Sequence, residues 1–161
     1  MTKPQEQHEG RELRHVIFEM VQDSDGWPPV GAERMWASEV GPGLYKIDNI
    51  PFYARGISRG DVVSVLEKDG TLFYKETREH SGHSTVRVII KRKGSERTPL
   101  EQEVRQNLVG KGCEIEGVSE GFFAVDIPVG VNYGEVKTLL REEERKGVLE
   151  FEEGNVRKEE L

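Results

Sequence analysis

The stretch from residue 48 to residue 87 reads DNIPFYARGISRGDVVSVLEKDGTLFYKETREHSGHSTVR. Near its middle, Asp69-Gly70 separates two apolar segments, which is a strong signal for a β-hairpin. Near its end, a turn from His80 to His83 leads into a run of β-branched residues. We therefore interpret this stretch as the junction of the chain, because it closes one sheet and supplies the first strand of the next.

The chain up to this turn predicts a β-meander. Turn residues separate short runs that are rich in β-branched and aromatic side chains. Five strands are predicted, at residues 15–21, 34–40, 44–47, 62–66 and 72–79. Because strands joined by short turns pair with their neighbours, we expect a small curled sheet or partial barrel.

The chain after the turn changes from the two-residue period of strands to the 3.6-residue period of helices, and back. A first helix is predicted with Thr98 as its N-cap, Pro99 at its first position and Glu101 closing a capping box. A second helix is predicted with Asn132 as its N-cap and Glu135 three residues later. The predicted strands around these helices are residues 84–92, 113–118, 122–127 and 148–152.

The second half therefore has the order β-α-β-β-α-β, which is that of the ferredoxin-like fold: a four-stranded sheet with two helices on one face. The fold class predicted for the whole chain is α+β, with an N-terminal antiparallel β-meander or partial barrel joined to this ferredoxin-like half. The predicted organisation is a flexible tail at 1–13, a β-meander region at 14–83, a ferredoxin-like region at 84–153 and a flexible tail at 154–161.

Composition narrows the class of protein. The formal net charge of -7 argues against a general nucleic-acid binder and suits a basic protein partner. Cys113 is the single cysteine, so no disulfide and no cysteine-based zinc site can form within one chain. No segment has the pattern of a signal peptide or a membrane span, so we expect a cytoplasmic protein. The sequence predicts no oligomeric state.

The turn from His80 to His83 is the first candidate site. Histidine transfers protons near neutral pH, so His80 and His83 could act as acid and base, with Asp61 orienting one of them. Arg87 could hold an anionic substrate. The alternative is structural, because serine and glycine at the entry to a strand are ordinary turn residues.

The candidate binding residues surround this turn: Asp48, Asn49, Ser84, Thr85 and Arg87. Asp48-Asn49 before Ile-Pro also fits a turn with no ligand. The His-x-x-His spacing raises a metal site as a further alternative, but two histidines on a loop supply too few ligands. We predict no metal and no cofactor.

Three motifs carry a resemblance to a known family. They are Tyr45-x-Ile47-Asp48-Asn49-Ile50-Pro51-Phe52, Gly60-Asp61-Val62-Val63 and Ser81-Gly82-His83-Ser84-Thr85-x-Arg87. In this order the chain resembles the bacterial domain-of-unknown-function family 4265, over roughly His15 to Phe151. The resemblance implies a small, bacterial, cytoplasmic protein in which residues 48–87 form one unit. It implies no activity.

Three functions remain open from the sequence. The first is a non-enzymatic protein-binding or regulatory module, of the kind that an immunity protein forms against a basic toxin. The second is a small metal-independent enzyme that acts on RNA or a phosphorylated metabolite through His80, His83 and Arg87. The third is a small-molecule-sensing domain with a pocket lined by Trp36, Tyr45 and Phe52.

Overall fold

The computed structural model describes residues 12–157, which divide into two compact units between Ser81 and Gly82. The division falls inside the turn that the sequence places at the junction. The two predicted flexible tails lie mostly outside the described residues. The exceptions are residues 12–13 at one end and residues 154–157 at the other.

The first unit is a closed five-stranded barrel with the strands in sequence order. The strands are β1 (Leu13–Glu19), β2 (Ala32–Gly41), β3 (Leu44–Ile47), β4 (Val62–Lys68) and β5 (Thr71–Glu79). All five were predicted, and β3 has the predicted bounds. The predicted meander is present, and its first and last strands also pair.

The pairing that closes the barrel is parallel, with Val16 opposite Leu72 and Ile17 opposite Phe73. A meander reverses direction at every turn, so its first and fifth strands run the same way. Five strands can therefore close only through a parallel pair. The neighbours Val16 and Leu72 point into the barrel and belong to its core, together with Phe18, Met35, Ile47 and Val63.

The second unit is a four-stranded antiparallel sheet with two helices. Its elements are β6 (Ser84–Ile90), α1 (Arg97–Gly110), β7 (Glu114–Ser119), β8 (Phe122–Ile127), α2 (Tyr133–Arg145) and β9 (Leu149–Asn155). The strand order is β7-β8-β6-β9. Val86 and Val88 of β6 share one core cluster with Leu108 of α1 and Leu140 of α2, so both helices cover the same face of the sheet.

The predicted start of α1 is wrong in detail. A 3₁₀ turn at Gly94–Glu96 runs directly into the helix, which begins at Arg97. Thr98 therefore lies inside the first helical turn and cannot cap it. Glu101 does not close a capping box either, because its Oε1 accepts a hydrogen bond from the Gly121 N–H at 2.9 Å.

The predicted start of α2 is confirmed. Asn132 has extended backbone geometry, and its Oδ1 accepts a hydrogen bond from the Glu135 N–H at 3.0 Å. This bond satisfies one of the N–H groups that have no partner within the first helical turn.

The last strand extends further than the sequence indicates. β9 continues to Asn155, and Arg157 is buried, although the sequence predicts a flexible tail from residue 154. No helix within residues 12–157 combines the length and the apolar character that crossing a membrane requires.

Candidate functional site

Asp61 holds the end of the long loop between β3 and β4. It is 1% exposed. Its Oδ2 accepts a hydrogen bond from the Ser58 N–H at 3.0 Å, and its Oδ1 accepts one from the Ser81 N–H at 2.8 Å. His80 Nδ1 lies 3.6 Å from Oδ2 on the exposed side. Asp61 therefore ties the loop to the end of β5, and His80 is a peripheral contact.

The amide of Asn49 and the backbone of Asp48 bind the same residue of β2. Asn49 Oδ1 accepts a hydrogen bond from the Trp36 N–H at 2.8 Å. The Asp48 N–H donates to the Trp36 carbonyl at 2.9 Å. These two bonds continue the β2–β3 ladder past Ile47, so both predicted binding residues form a structural corner of the barrel.

Glu33 was not selected from the sequence, and it organises the same loop. Its carboxylate accepts hydrogen bonds from three consecutive backbone N–H groups, those of Phe52, Tyr53 and Ala54, at 2.6, 3.0 and 2.8 Å. Three N–H groups that converge on one anion form a small anion-binding nest. Here the side chain of Glu33 fills that nest, so the loop is fixed from within the barrel.

The residues suggested for a small-molecule pocket separate in the structure. Tyr45 is buried in the barrel core, and its hydroxyl accepts a hydrogen bond from Arg14 Nη1 at 3.3 Å. Trp36 lies between the inward-facing Met35 and Ala37, so it is on the outer face, where its ring packs 3.8 Å from that of His15. Tyr45 and Trp36 therefore do not line a common cavity.

His83 contacts a buried carboxylate in the second unit. Its Nδ1 lies 2.9 Å from both Oδ1 and Oδ2 of Asp126, which is 1% exposed. When Nδ1–H donates to a carboxylate, the ring is oriented and Nε2 is left as the proton acceptor. The contact therefore has two chemical interpretations. His83 could be positioned for proton transfer, or His83 and Asp126 could form a half-buried ion pair.

Thr85 and Arg87 continue the same face of β6, since strand residues two apart point the same way. Thr85 lies opposite Asp126 on β8. Arg87 is 2% exposed, and its Nη2 donates to Glu152 Oε1 at 3.0 Å. Its guanidinium also packs against the backbone of Gly154, where a Cβ would lie 2.7 Å from Cζ. The charge of Arg87 is thus matched by a carboxylate of its own sheet.

Ser84 points to the other side and fastens the C-terminal segment. Its Oγ accepts hydrogen bonds from Arg157 N at 3.0 Å and Arg157 Nε at 3.3 Å. The other two guanidinium nitrogens of Arg157 donate to the backbone carbonyls of Ile127, the last residue of β8, and of Pro128 and Val129, which follow it. Arg157 therefore ties the end of the described chain to two strands of the sheet.

The predicted site residues thus fall into two groups, each within one unit. His80 and Asp61 contact each other in the barrel unit. His83, Thr85 and Arg87 share a face of β6, where their carboxylate neighbours are Asp126 and Glu152. Sequence reasoning missed those two acids and Arg157. Alternation along β6 indicates the shared face, but no local signal identifies partners on other strands.

The outer wall of the barrel carries a groove of about 400 Å³, which we call the barrel groove. Seven residues line it, among them Ile17, Glu19, Leu66, Lys68, Phe73 and Lys75. Leu66 is 61% exposed, an unusual position for a large aliphatic side chain beside two other apolar residues. No sequence prediction included this surface.

These features define a mixed α+β chain of two units with nine strands and two helices in residues 12–157. The chain belongs to the family described as Domain of unknown function (DUF4265), whose model matches residues 33–151. The family predicted from the three motifs is confirmed.

A similar solved structure is titled "Novel crystal structure of a hypothetical protein from Neisseria gonorrhoeae". It is 18% identical, and the match covers 94% of this chain and 99% of that one with a TM-score of 0.70. At this identity the likeness concerns the fold alone. A search of curated proteins finds no match.

Proposed function

We propose that this protein is a non-enzymatic protein-binding module that uses the barrel groove as its binding surface. The observation that carries the proposal is the exposure of Leu66 next to Ile17 and Phe73 on the outer wall of a closed barrel. A closed barrel has no free strand edge for a partner to extend, so side chains on its wall must supply the contact. Exposed apolar side chains that adjoin each other, with charged residues at the rim, are typical of protein interfaces.

The arrangement of the polar residues supports the same proposal. Asp61, Asn49 and Ser84 accept hydrogen bonds from the protein's own backbone, and Arg87 binds the carboxylate of Glu152. Groups that are already bound in this way act as structural supports.

The charge of the chain favours a basic partner. With a net charge of -7, long-range attraction speeds encounters with basic proteins and disfavours acidic ones. An immunity-type protein that blocks a basic toxin has this requirement, and we propose that role for this protein.

We also propose that the second unit is ferredoxin-like. Its element order is β-α-β-β-α-β, its four strands are antiparallel, and both helices pack on one face. This arrangement leaves the face that carries His83 and Arg87 free of helices.

A photo-crosslinking experiment tests the binding proposal. A photoreactive amino acid replaces Leu66 in the groove, and the matched control replaces Val109, an exposed apolar residue of α1. We expect a discrete crosslinked protein species from position 66 and none from position 109. Equal labelling at both positions, or none at position 66, would contradict the proposal.

The contact between His83 and Asp126 favours a second candidate, a metal-independent enzyme that acts on RNA or a phosphorylated metabolite. In this candidate His83 would be the base, and Asp126 would orient it. The test is a screen of phosphodiesters and phosphomonoesters with the wild type, His83→Ala and His80→Ala. Turnover that survives His83→Ala, or no turnover of any substrate, eliminates this candidate.

A further inference from the structure

We propose that the barrel opens at the pairing of β1 with β5, which we call the seam, while β2 to β5 stay folded, and that this opening disassembles the barrel groove. The seam is then a conformational device that decides when the groove exists. For a protein bound in the groove this consequence rests on the proposed function, whereas the opening itself does not depend on it.

The backbone ladder of the seam is short. The described pairing of β1 with β5 consists of Val16 opposite Leu72 and Ile17 opposite Phe73. On its other side, β1 pairs with β2 along all seven of its residues. Parallel pairs are also slightly less stable per residue than antiparallel pairs. The backbone of β1 is therefore held firmly by β2 and weakly by β5.

The two strands diverge just beyond these pairs. The register of β5 with β4 shifts between Tyr74 and Glu76, so Lys75 is an extra residue of β5, and such a bulge bends its strand. Tyr74 follows the outward-facing Phe73 and so lies on the inner side of the wall, yet it is 37% exposed. The wall of the barrel therefore has a gap between β1 and β5 at this end of the seam.

Side chains fasten the seam at both ends of its ladder. Arg14 of β1 reaches the β4–β5 hairpin, where its Nη2 donates to the Gly70 carbonyl at 3.2 Å and lies 3.4 Å from Glu67 Oε1. At the other end, the rings of Phe18 and Tyr74 stack with their centroids 4.6 Å apart. Opening the seam breaks these side-chain contacts and the short ladder, and it leaves the antiparallel ladders of the barrel in place.

The barrel groove is built from both sides of the seam. β1 contributes Ile17 and Glu19, and the β4–β5 hairpin contributes Leu66, Lys68, Phe73, Tyr74 and Lys75. A movement of β1 away from β5 separates these two sets of residues, so the groove exists only while the seam is closed. A protein seated in the groove contacts both sides and holds the seam closed, because a ligand shifts an equilibrium toward the state that binds it.

The rate at which a buried thiol reacts with an alkylating reagent measures the opening. Val16→Cys and Val63→Cys each place a thiol at a fully buried valine of the barrel core, and Val63 is the matched control because it lies on β4, away from the seam. Local opening costs less free energy than global unfolding, so the thiol at position 16 should react at least about a hundredfold faster than the thiol at position 63. Its rate should also be nearly independent of urea at low concentrations, because opening exposes little surface.

Two further changes separate the seam from the rest of the barrel. Arg14→Ala removes a fastening and should raise the rate at position 16 about tenfold, whereas Arg78→Ala, which breaks an exposed ion pair with Glu76, should change it less than about twofold. Glu33→Gln weakens a loop contact that the opening leaves intact. It should raise the rate at position 63 about tenfold and the rate at position 16 less than about twofold.

Two results would overturn the opening of the seam. One is an equal rate of reaction at positions 16 and 63. The other is an equal effect of Glu33→Gln at the two positions. Either result means that both thiols react only through global unfolding of the barrel.

The photoreactive residue at position 66 connects the seam to the proposed function. When it is combined with Val16→Cys, chains crosslinked to another protein should react at position 16 at least about tenfold more slowly than chains without a crosslink. Cys113, in the second unit, is the internal reference and should react equally in both fractions. Equal rates at position 16 overturn the control of the groove by the seam. If no crosslink forms, the proposed function fails, while the rates in the free chain still decide whether the seam opens.

Discussion

His83 and Asp126 are joined by contacts of 2.9 Å from Nδ1 to both carboxylate oxygens, across 43 residues of sequence. The histidine lies just before β6 and is partly exposed, whereas the aspartate is buried near the end of the inner strand β8. The contact therefore supplies a buried carboxylate with a partner that reaches it from the surface. A buried carboxylate without such a partner is costly.

Removing the histidine should destabilise the second unit. In His83→Ala, Asp126 keeps its burial and loses this contact, so the free energy of unfolding should fall by about 1–3 kcal/mol. Urea unfolding followed by the helical circular dichroism signal measures this, because both helices of the described chain lie in the second unit.

The control is His80→Ala. His80 is half exposed, and Asp61 keeps its two backbone N–H bonds, so the change should stay below about 0.5 kcal/mol. Equal losses in the two variants would contradict a special role for the His83 contact.

Removing Glu33 should loosen the loop of the barrel. Glu33→Ala leaves three backbone N–H groups without their acceptor and should cost about 3 kcal/mol, while Glu33→Gln keeps one oxygen and should cost about half as much. Tryptophan fluorescence is the measurement, since Trp27 and Trp36 are the two tryptophans of the chain and both precede residue 81.

Glu76→Ala, which removes an exposed contact with Arg78, is the control and should change stability by less than about 0.5 kcal/mol. An unchanged stability in Glu33→Ala would show that the loop does not depend on this carboxylate.

Arg157 should contribute to folding although it lies near the end of the chain. Arg157→Ala removes the donors that reach Ile127, Pro128, Val129 and Ser84, so we expect a loss of about 2–4 kcal/mol. Arg157→Lys keeps the charge but replaces the planar guanidinium and its several N–H donors with one compact ammonium. It should therefore recover less than half of the lost free energy of unfolding. Chemical denaturation followed by circular dichroism measures both variants. Full recovery with lysine would mean that charge alone, and not the fork of hydrogen bonds, holds the segment.

Cys113 should make stability fall at alkaline pH. Burial, with a smaller effect from the negative charge of Asp126, raises the pKa of its thiol from 9.0 to about 11. The folded state therefore holds this proton where the unfolded chain has lost it. The contribution is complete below pH 9.0 and is lost as the pH rises toward about 11. Relative to Cys113→Ala, the wild type should lose about 1–2 kcal/mol between these limits, as measured by urea unfolding at a series of pH values. Parallel pH profiles for the two proteins would refute this assignment.

The sequence predicted the local structure well, for identifiable reasons. Alternation and turn residues located all nine strands to within about three residues at each end, and β8 has the predicted bounds. Asn132 caps α2 as predicted, because capping involves residues three positions apart. The same reasoning failed at Thr98, where the preceding 3₁₀ turn moved the start of α1 upstream.

The candidate site was predicted only in part, because its partners are distant in sequence. His83, Thr85 and Arg87 share a face, as strand alternation requires. Their carboxylate partners, Asp126 and Glu152, are 43 and 65 residues away from His83 and Arg87. A propensity or a turn motif reports on a few neighbouring residues, so it cannot indicate which acid a buried base will meet.

The sequence by itself determined the order of the strands and helices, the junction near residue 81 and the membership in its family. Each of these depends on local periodicity, turn chemistry or motifs that adjacent residues carry. Only the tertiary structure decided that the meander closes through a parallel pair of β1 and β5, and that this closure brings Ile17 and Phe73 together beside Leu66 in an exposed groove. It also decided that most of the polar residues of the junction hold backbone and strands in place. These outcomes depend on which distant side chains meet when the sheets close, and that is a property of packing.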